Sequence, residues 1–335
     1  MRLDAQDPAA IDEAADRLAA GELVAFPTET VYGLGARADD DAAAARIFEA
    51  KGRPAGHPLI VHVADAAAAA AFAAQWPPLA QRLAEHFWPG PLTVIVPRAD
   101  GVAAVAAGGQ PTVGLRCPSH PVALALLRAA AARGVRGVAG PSANRFGRVS
   151  PTTAAHVESE FGDAVAVLDG GACDVGIESA IVDCTRGVPV LLRPGVLTPQ
   201  EIEQAAGQPL VRPDGQAPRA PGTLASHYAP HAKVRLMPAA ALREALAVFA
   251  DAATAGNTRS PTGKTLAVYS RTVLPPPGAA HHRRMPDDAA AAAQALFATL
   301  RDLDGTGVSL IWVEQPPAGP EWDGVRDRLQ RAAAD

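Results

Sequence analysis

The stretch ELVAFPTETVYGLGARA, residues 22–38, carries the pattern from which the fold is predicted: an apolar run leads directly into short polar residues and glycines. The apolar run, residues 22–26, is typical of a buried β-strand. Before it, residues 8–20 place apolar side chains on one helical face and end at Gly21. Polar residues at the carboxyl end of a strand fit a small-ligand pocket in an α/β domain. The alternative for residues 27–38 is a turn that binds no ligand.

The rest of residues 1–206 continues this alternation of Ala-rich helices and strand-like runs. Further strands are predicted at residues 59–63, 92–96, 112–116, 165–169, 179–183 and 188–192. The last two are separated by only four residues, so they should form an antiparallel hairpin, while strands separated by helices can be parallel. We therefore expect a mixed α/β sheet.

Residues 207–232 hold five prolines without periodicity, which is typical of a domain linker. Residues 233–335 follow with strands predicted at 234–237, 265–270 and 308–313, and helices from Ala239, at 287–303 and from Asp323. This pattern predicts a smaller, three-stranded parallel α/β domain. The same pattern places His281 and His282 in a Pro-rich loop.

Composition and charge exclude several classes of protein. The 335 residues are 48% hydrophobic and 19% charged, which excludes a disordered chain, and at ~150 residues per domain they favour two domains. The net charge of −5 argues against a protein that binds nucleic acid through its overall field. No apolar run has the length of a membrane span and the start is acidic, so a cytoplasmic protein without membrane contact is expected. Three cysteines without a C-x-x-C pair predict neither a disulfide framework nor a four-ligand zinc site.

Lysine is rare in this chain, with three against 27 arginines, and Lys51 is the only lysine before the linker. It lies at the end of the helix predicted from Asp41, in KGRP (51–54), two residues before Arg53. Two cations in one cleft suit a polyphosphate. The alternative is that they only favour the helix dipole.

The loop PSANRFGRVSPTT (141–153) offers backbone N–H groups, hydroxyls and a helix N-terminus to an anion. A capped connection, with Ser150, Thr152 or Thr153 as the cap, is the alternative. The loop lacks the Walker pattern, and TGKT (262–265) lacks its earlier glycine. Gly33 and Gly35 give only a weak match to a dinucleotide fingerprint.

Four further candidate site residues lie outside these loops. They are His62 in an apolar strand, Arg116 and Arg193 at strand ends, and Ser179 in GIESAIVD. A strand histidine is also commonly a satisfied core residue, and strand-end arginines can be edge charges. No Ser-His-Asp order or H-x-x-x-H spacing is present, so hydrolase and zinc-enzyme interpretations are poor.

Taken in order, the motifs resemble the L-threonylcarbamoyladenylate synthases, the YrdC-like family. The resemblance covers residues 10 to about 205, and residues 220–234 with the following domain resemble the longer, two-domain members. The motifs are PTETVYGLG, KGRP, PLIVHV, GLRCP, PSAN followed by SPT, GIESAIVD and LLRPG. The resemblance implies a YrdC-like twisted mixed sheet around a positively charged cavity, and a second, smaller Rossmann-like domain. It implies synthesis of threonylcarbamoyl-AMP from L-threonine, bicarbonate and ATP with release of pyrophosphate, for tRNA modification by a downstream threonylcarbamoyl transferase.

The resemblance also assigns site residues. The nucleotide-binding positions are Lys51, Arg53, Ser142, Asn144, Ser150 and Arg193, of which Lys51 and Arg53 would be catalytic. The threonine-side positions are Thr28, His62, Arg116 and Ser179. Mg²⁺ is expected with ATP, without an assigned metal ligand, and no organic cofactor is expected.

Three residues depart from the family pattern: Ala180 stands where Thr is usual, Phe146 where Ser is frequent, and Cys117 follows Arg116. Two other functions stay open. One is recognition of double-stranded RNA or tRNA, which the −7 charge of residues 1–210 weakens. The other is carbamoyl transfer from a different donor, for which the accessory segments are absent.

The linker is predicted to act as a lid, because a simple spacer needs no SHYAP cluster (226–230). His227 and Tyr228 would help to exclude water from a labile intermediate. The alternative is that these two rings pack one domain against the other.

Overall fold

The computed structural model describes residues 1–254, 266–277 and 280–334. They form two compact units. Unit 1 comprises Met1–Phe146 and Ser150–Thr223, and unit 2 comprises Gly147–Val149 and Leu224–Asp335. TGKT (262–265) lies outside the described residues.

Unit 1 is built on one large mixed sheet flanked by helices. Its strands are β1 (Arg2–Asp4), β2 (Val24–Phe26), β3 (Gly33–Arg37), β4 (Ile60–His62), β5 (Leu92–Pro97), β6 (Thr112–Arg116), β7 (Val138–Ala139), β8 (Ala166–Asp169), β9 (Ala180–Asp183) and β10 (Val190–Arg193). Its helices are α1 (Pro8–Ala19), α2 (Asp41–Lys51), α3 (Ala66–Ala70), α4 (Pro78–Phe87), α5 (Pro121–Ala132), α6 (Ala154–Phe161) and α7 (Pro199–Ala206).

The strand order in unit 1 is β1-β8-β2-β3-β7-β4-β6-β5-β9-β10. Strands β4 and β6 are parallel, while β9 and β10 form the predicted antiparallel hairpin. The prediction of a mixed sheet is therefore confirmed.

The sheet is covered on both faces because successive strand residues point to opposite sides. On β2, Val24 and Phe26 join a core cluster with α1 and α5, whereas Ala25 joins a larger cluster with α2. These two cores hold the strand ends and loops of unit 1 in place.

Three strands of unit 1 were not predicted: β1, β3 and β7. Strand β3 lies within residues 27–38, which were expected to line a small-ligand pocket or to form a turn, because Gly33 and Gly35 interrupt any hydrophobic alternation. A Cβ on Gly35 would lie 2.9 Å from Phe26 Cε1 and 2.9 Å from the Val24 carbonyl oxygen. Close packing on β2 thus accounts for this glycine, and a dinucleotide fingerprint is not needed.

Unit 2 contains β11 (Lys233–Met237), β12 (Leu266–Ser270), β13 (His281–Arg284) and β14 (Leu310–Glu314), with α8 (Ala239–Thr254), α9 (Ala289–Gly305) and α10 (Asp323–Ala332). Within its described residues the sheet is parallel, with the order β11-β14-β12-β13. The expectation of three strands was wrong, because β13 consists of the polar residues HHRR at an edge and shows no apolar alternation. His281 and His282 therefore lie on a strand and not in a loop.

No helix within the described residues combines the length and apolar character that crossing a membrane requires. Cys117, Cys173 and Cys184 are buried, and none of them is in a disulfide within the described residues. Burial raises the pKa of Cys117 to about 11, so this thiol is not a reactive nucleophile at neutral pH.

Candidate active site

Lys51 ties the end of helix α2 to the PSAN loop. The helix begins after Asp40, which caps it by accepting from Ala42 N at 2.9 Å, and it ends at Gly52 with a φ of 62°. The Lys51 Nζ donates to the carbonyl oxygen of Ser142 at 2.6 Å and to that of Asn144. The Phe146 N–H in turn donates to the Lys51 carbonyl at 2.9 Å. The lysine and the S-x-N loop are thus one unit of structure.

The charge of Lys51 is destabilised in this position. Its residue is 3% exposed, and burial followed by repulsion from Arg53 holds the pKa of Lys51 well below its ordinary range. Arg53 is also buried, donates to the Pro58 carbonyl at 2.9 Å and lies 5.7 Å from the centre of the Phe146 ring. The departure at Phe146 thus gives Arg53 a cation–π contact. An anion brought to this place would gain from both cations.

The PTETVYG segment is paired with the PSAN loop. Leu34 N donates to the Pro141 carbonyl at 2.7 Å, Ala143 N to the Tyr32 carbonyl at 2.8 Å, and Tyr32 N to the Pro151 carbonyl at 2.9 Å. Two motifs more than 100 positions apart therefore form one wall.

Ser150 follows the same loop and is fully buried. Its hydroxyl donates to Glu178 Oε1 at 2.5 Å. The expected cap role belongs to Thr153, whose side chain accepts from His156 N at the start of α6. Ser150 is thereby available for a role other than capping the helix.

Arg116, at the end of β6, is the centre of a second cluster. Its Nη1 donates to Thr30 Oγ1 at 2.8 Å, its Nε to the Gly90 carbonyl at 3.3 Å, and its Nη2 lies 2.8 Å from Glu29 Oε1. Thr28 Oγ1 lies 2.9 Å from Thr30 Oγ1 and donates to the Val31 carbonyl at 2.6 Å. Arg116 is therefore an inward, paired cation beside hydroxyl groups, and not an edge charge.

His62 is the register partner of Arg116 on the neighbouring strand β4. Burial, with a further contribution from Arg116, lowers the pKa of His62 to about 3. The imidazole is therefore neutral at physiological pH. Its Nδ1 is buried and has no hydrogen-bond partner among the residues that the structure describes.

Ser179 and Arg193 form a third cluster. Arg193 donates to the Ser179 carbonyl through Nε at 3.1 Å and Nη2 at 2.9 Å, and to the Pro221 carbonyl through Nη1 at 3.0 Å. Ser179 Oγ lies 2.8 Å from Thr93 Oγ1. The linker residue Pro221 thus contacts a predicted nucleotide-binding side chain within unit 1.

His227 and Tyr228 belong to unit 2. Tyr228 is buried with a φ of 62°, its ring stacks on Phe297 with centroids 5.5 Å apart, and the Arg328 guanidinium lies 5.3 Å from the ring centre. The backbone N–H of His227 donates to the Arg331 carbonyl at 3.2 Å. The Tyr228 ring thus packs within unit 2, and the His227 ring lies against it with centroids 4.1 Å apart.

The structure brings the predicted residues together in groups: Lys51 with Ser142 and Asn144, Arg116 with Thr28 through Thr30, and Ser179 with Arg193. It adds four partners to which the sequence analysis gave no role: Glu29, Thr30, Thr93 and Glu178. Glu29, Thr30 and Glu178 lie inside the motifs described above, and this position is the feature of the sequence that could have indicated them. Thr93 lies in an apolar strand, where no feature of the sequence indicates a role in the site.

Both regions of the chain match known protein families. A family model described as "Telomere recombination" matches residues 16–195, and one described as "Threonylcarbamoyl-AMP synthase, C-terminal domain" matches residues 197–334. The threonylcarbamoyl-AMP synthase of Pyrococcus abyssi is 39% identical over 329 residues, covering 93% of this chain and 91% of that protein. The chain belongs to the threonylcarbamoyl-AMP synthase family.

Other relatives support this membership. The threonylcarbamoyl-AMP synthase of Bacillus subtilis is 42% identical over 240 residues, covering 70% of this chain and 68% of that protein. The crystal structure of P. abyssi Sua5 complexed with L-threonine is similar with a TM-score of 0.87 and 37% identity, covering 99% of this chain and 97% of that one. The two-unit α/β architecture is thus that of the threonylcarbamoyl-AMP synthases.

Proposed function

We propose that this protein makes threonylcarbamoyl-AMP from L-threonine, bicarbonate and ATP and releases pyrophosphate, as a nucleotidyltransferase. The observation that carries the proposal is the similarity over nearly the whole chain to a Sua5 structure complexed with L-threonine. The clusters around Lys51 and Arg116 supply positive charge for the phosphates of ATP and the carboxylate of L-threonine, respectively.

On the threonine side, Arg116 binds the substrate carboxylate, since a guanidinium matches a carboxylate with two donors. Thr28, Ser179 and the neutral His62 line the pocket around the substrate hydroxyl and methyl. The low pKa of His62 makes it a hydrogen-bonding group and not a charged one.

On the nucleotide side, Lys51, Arg53 and Arg193 bind the phosphates, with Ser142, Asn144 and Ser150 as polar contacts. Lys51 also holds the loop that carries Ser142 and Asn144. One side chain therefore links the shape of the loop to the charge of the site.

The reaction has two steps. The threonine ammonium and bicarbonate give a carbamate, with loss of water and one proton. A carbamate oxygen then attacks the α-phosphorus of ATP, and the bond to the β-phosphate oxygen breaks as pyrophosphate leaves. Negative charge accumulates in that transition state, and preorganised cations stabilise it without a covalent enzyme intermediate.

Magnesium enters this scheme as part of the nucleotide substrate. The described part of the chain holds no group of three or more His, Cys, Asp or Glu residues that could hold a metal ion. We infer that Mg²⁺ arrives on the phosphates of ATP, because Mg²⁺ is usually held through substrate phosphates and only one or two carboxylates. It would neutralise phosphate charge there, beside Lys51 and Arg53.

The test is pyrophosphate release from MgATP with L-threonine and bicarbonate together and with each omitted. Release should need both. Release that continues without either one would contradict the reaction.

Binding of tRNA at two salt concentrations tests the RNA-binding alternative, because phosphate recognition weakens steeply with salt. The product would pass to a separate tRNA threonylcarbamoyl transferase.

A further inference from the structure

Glu29 is a buried residue of the candidate site to which the family motifs assign no role. It is 5% exposed, and its carboxylate lies 2.8 Å from Arg116 Nη2. Burying a carboxylate is costly unless it is paired and hydrogen-bonded. The position of this residue thus calls for an explanation.

The backbone around Glu29 is fixed before any ligand binds. Thr28 Oγ1 accepts from the N–H groups of Thr30 and Val31, both at 3.2 Å. The Val175 N–H donates to the Glu29 carbonyl at 2.7 Å. Hydrogen bonds within its own segment and to Val175 therefore place the carboxylate, in addition to the contacts of that segment with Arg116.

Arg116 and Glu29 form an ion pair that leaves acceptor capacity on the carboxylate. Arg116 donates hydrogen bonds through Nε to Gly90 and through Nη1 to Thr30, while its Nη2 lies 2.8 Å from Glu29 Oε1 without the geometry of a hydrogen bond. Both carboxylate oxygens of Glu29 are buried, and within the described residues neither accepts a hydrogen bond of good geometry. Burial raises the pKa of Glu29, but Arg116 and nearby backbone N–H groups outweigh it and hold the pKa below its ordinary range. An ionised carboxylate with unused acceptor capacity lies beside the proposed carboxylate-binding arginine.

We propose that Glu29 binds the α-ammonium group of L-threonine while Arg116 binds its carboxylate. The buried pair presents one negative and one positive charge side by side, which is the arrangement complementary to an amino-acid zwitterion. The ammonium brings further N–H donors to carboxylate oxygens that have acceptor capacity left. Conversion of the ammonium to a carbamate removes this attraction, so Glu29 favours the substrate over the intermediate. This assignment rests on the proposed function, because it takes L-threonine as the substrate.

The experiment compares two probes, L-threonine and (R)-3-hydroxybutanoate, which is threonine without its amino group. Calorimetric titration of the full-length protein should show that the wild type prefers L-threonine. Glu29→Gln keeps the shape of the side chain and removes its charge. It should weaken L-threonine binding ~10–100-fold, as expected for a hydrogen bond to a charged group, and leave 3-hydroxybutanoate binding equal or tighter. Glu29→Asp should keep a reduced preference for L-threonine.

Controls separate this role from damage to the fold. Glu314, a buried glutamate of unit 2, is the matched control, and Glu314→Gln should bind both probes as the wild type does. Binding of ATP alone should be unchanged in Glu29→Gln. Equal weakening of both probes would overturn the assignment and make Glu29 a positioning residue for Arg116, and unchanged L-threonine binding would also overturn it. A wild type that binds no L-threonine would instead contradict the proposed function.

Discussion

Lys51 and Arg116 are both buried cations of the candidate site, yet the protein holds their charges in different ways. Arginine side chains are permanent cations, and the guanidinium of Arg116 is paired with the carboxylate of Glu29. Lys51 donates to two backbone carbonyls, lies near the like charge of Arg53 and has a lowered pKa. The proposed threonine side therefore has a permanent, balanced pair of charges, whereas the proposed nucleotide side has a cation whose charge an arriving polyanion would stabilise.

The largest loss of activity is expected from substitution of Lys51. Lys51→Ala should lower turnover ~10²–10³-fold, the loss typical of one electrostatic stabiliser, because the substitution removes a charge and two hydrogen bonds to the loop. Pyrophosphate release at saturating substrates is the measurement. Lys233, an exposed lysine of unit 2, is the control, and Lys233→Ala should leave turnover unchanged. Near-normal turnover of Lys51→Ala would contradict its role.

A substitution of Arg116, on the proposed threonine side, should weaken the binding of L-threonine. Arg116→Lys keeps a positive charge but loses the planar fork that contacts Thr30 and Glu29 together. The KM for L-threonine should rise ~10–100-fold, since hydrogen bonds to charged groups are lost, while the KM for ATP stays within about twofold. Equal changes in both KM values would show that the two sides of the site are not separate.

The hydroxyl-rich wall beside Arg116 predicts preference for L-threonine over L-serine. The substrates differ by one methyl group, so discrimination should be limited to ~1–3 kcal/mol, or about 10–200-fold. The ratio of kcat/KM values measures it. Equal values for the two amino acids would remove the argument for a methyl-sized pocket.

If the linker acts as a lid, a His227→Ala, Tyr228→Ala double variant should show a smaller effect, a several-fold loss of product yield. Since Tyr228 stacks on Phe297, Phe297→Ala damages the same packing from the other side and is the matched control. A lid role predicts loss of yield and abortive loss of the intermediate in the double variant only. The same loss in both proteins would show that His227 and Tyr228 serve packing alone.

The sequence predicted those parts of the fold in which periodicity and burial agree. Strands β5 and β6 and helix α2 were predicted within a residue or two because β-branched runs and a capped Ala-rich segment are strong local signals. Strands β3 and β13 were missed because glycines and a polar edge give no alternation. In the candidate site, motif residues were found, but the contact of Thr30 with Arg116 joins positions 86 apart, which no local pattern can predict.

Proton uptake on ATP binding tests directly whether the charge of Lys51, unlike that of Arg116, depends on the ligand. Burial and Arg53 lower the pKa of Lys51 in the free protein, and a bound triphosphate should raise it. At pH values between the Lys51 pKa of the free protein and that of the complex, the complex then holds more protons than the free protein, so affinity for ATP should fall as pH rises, by up to ~10-fold per pH unit. Calorimetry in buffers of different ionisation enthalpy, at pH values where the triphosphate is fully ionised, measures the uptake. Lys51→Arg is the matched control, because a guanidinium does not titrate in this range. Uptake that is the same in both proteins would mean that Lys51 carries its full charge before ATP binds.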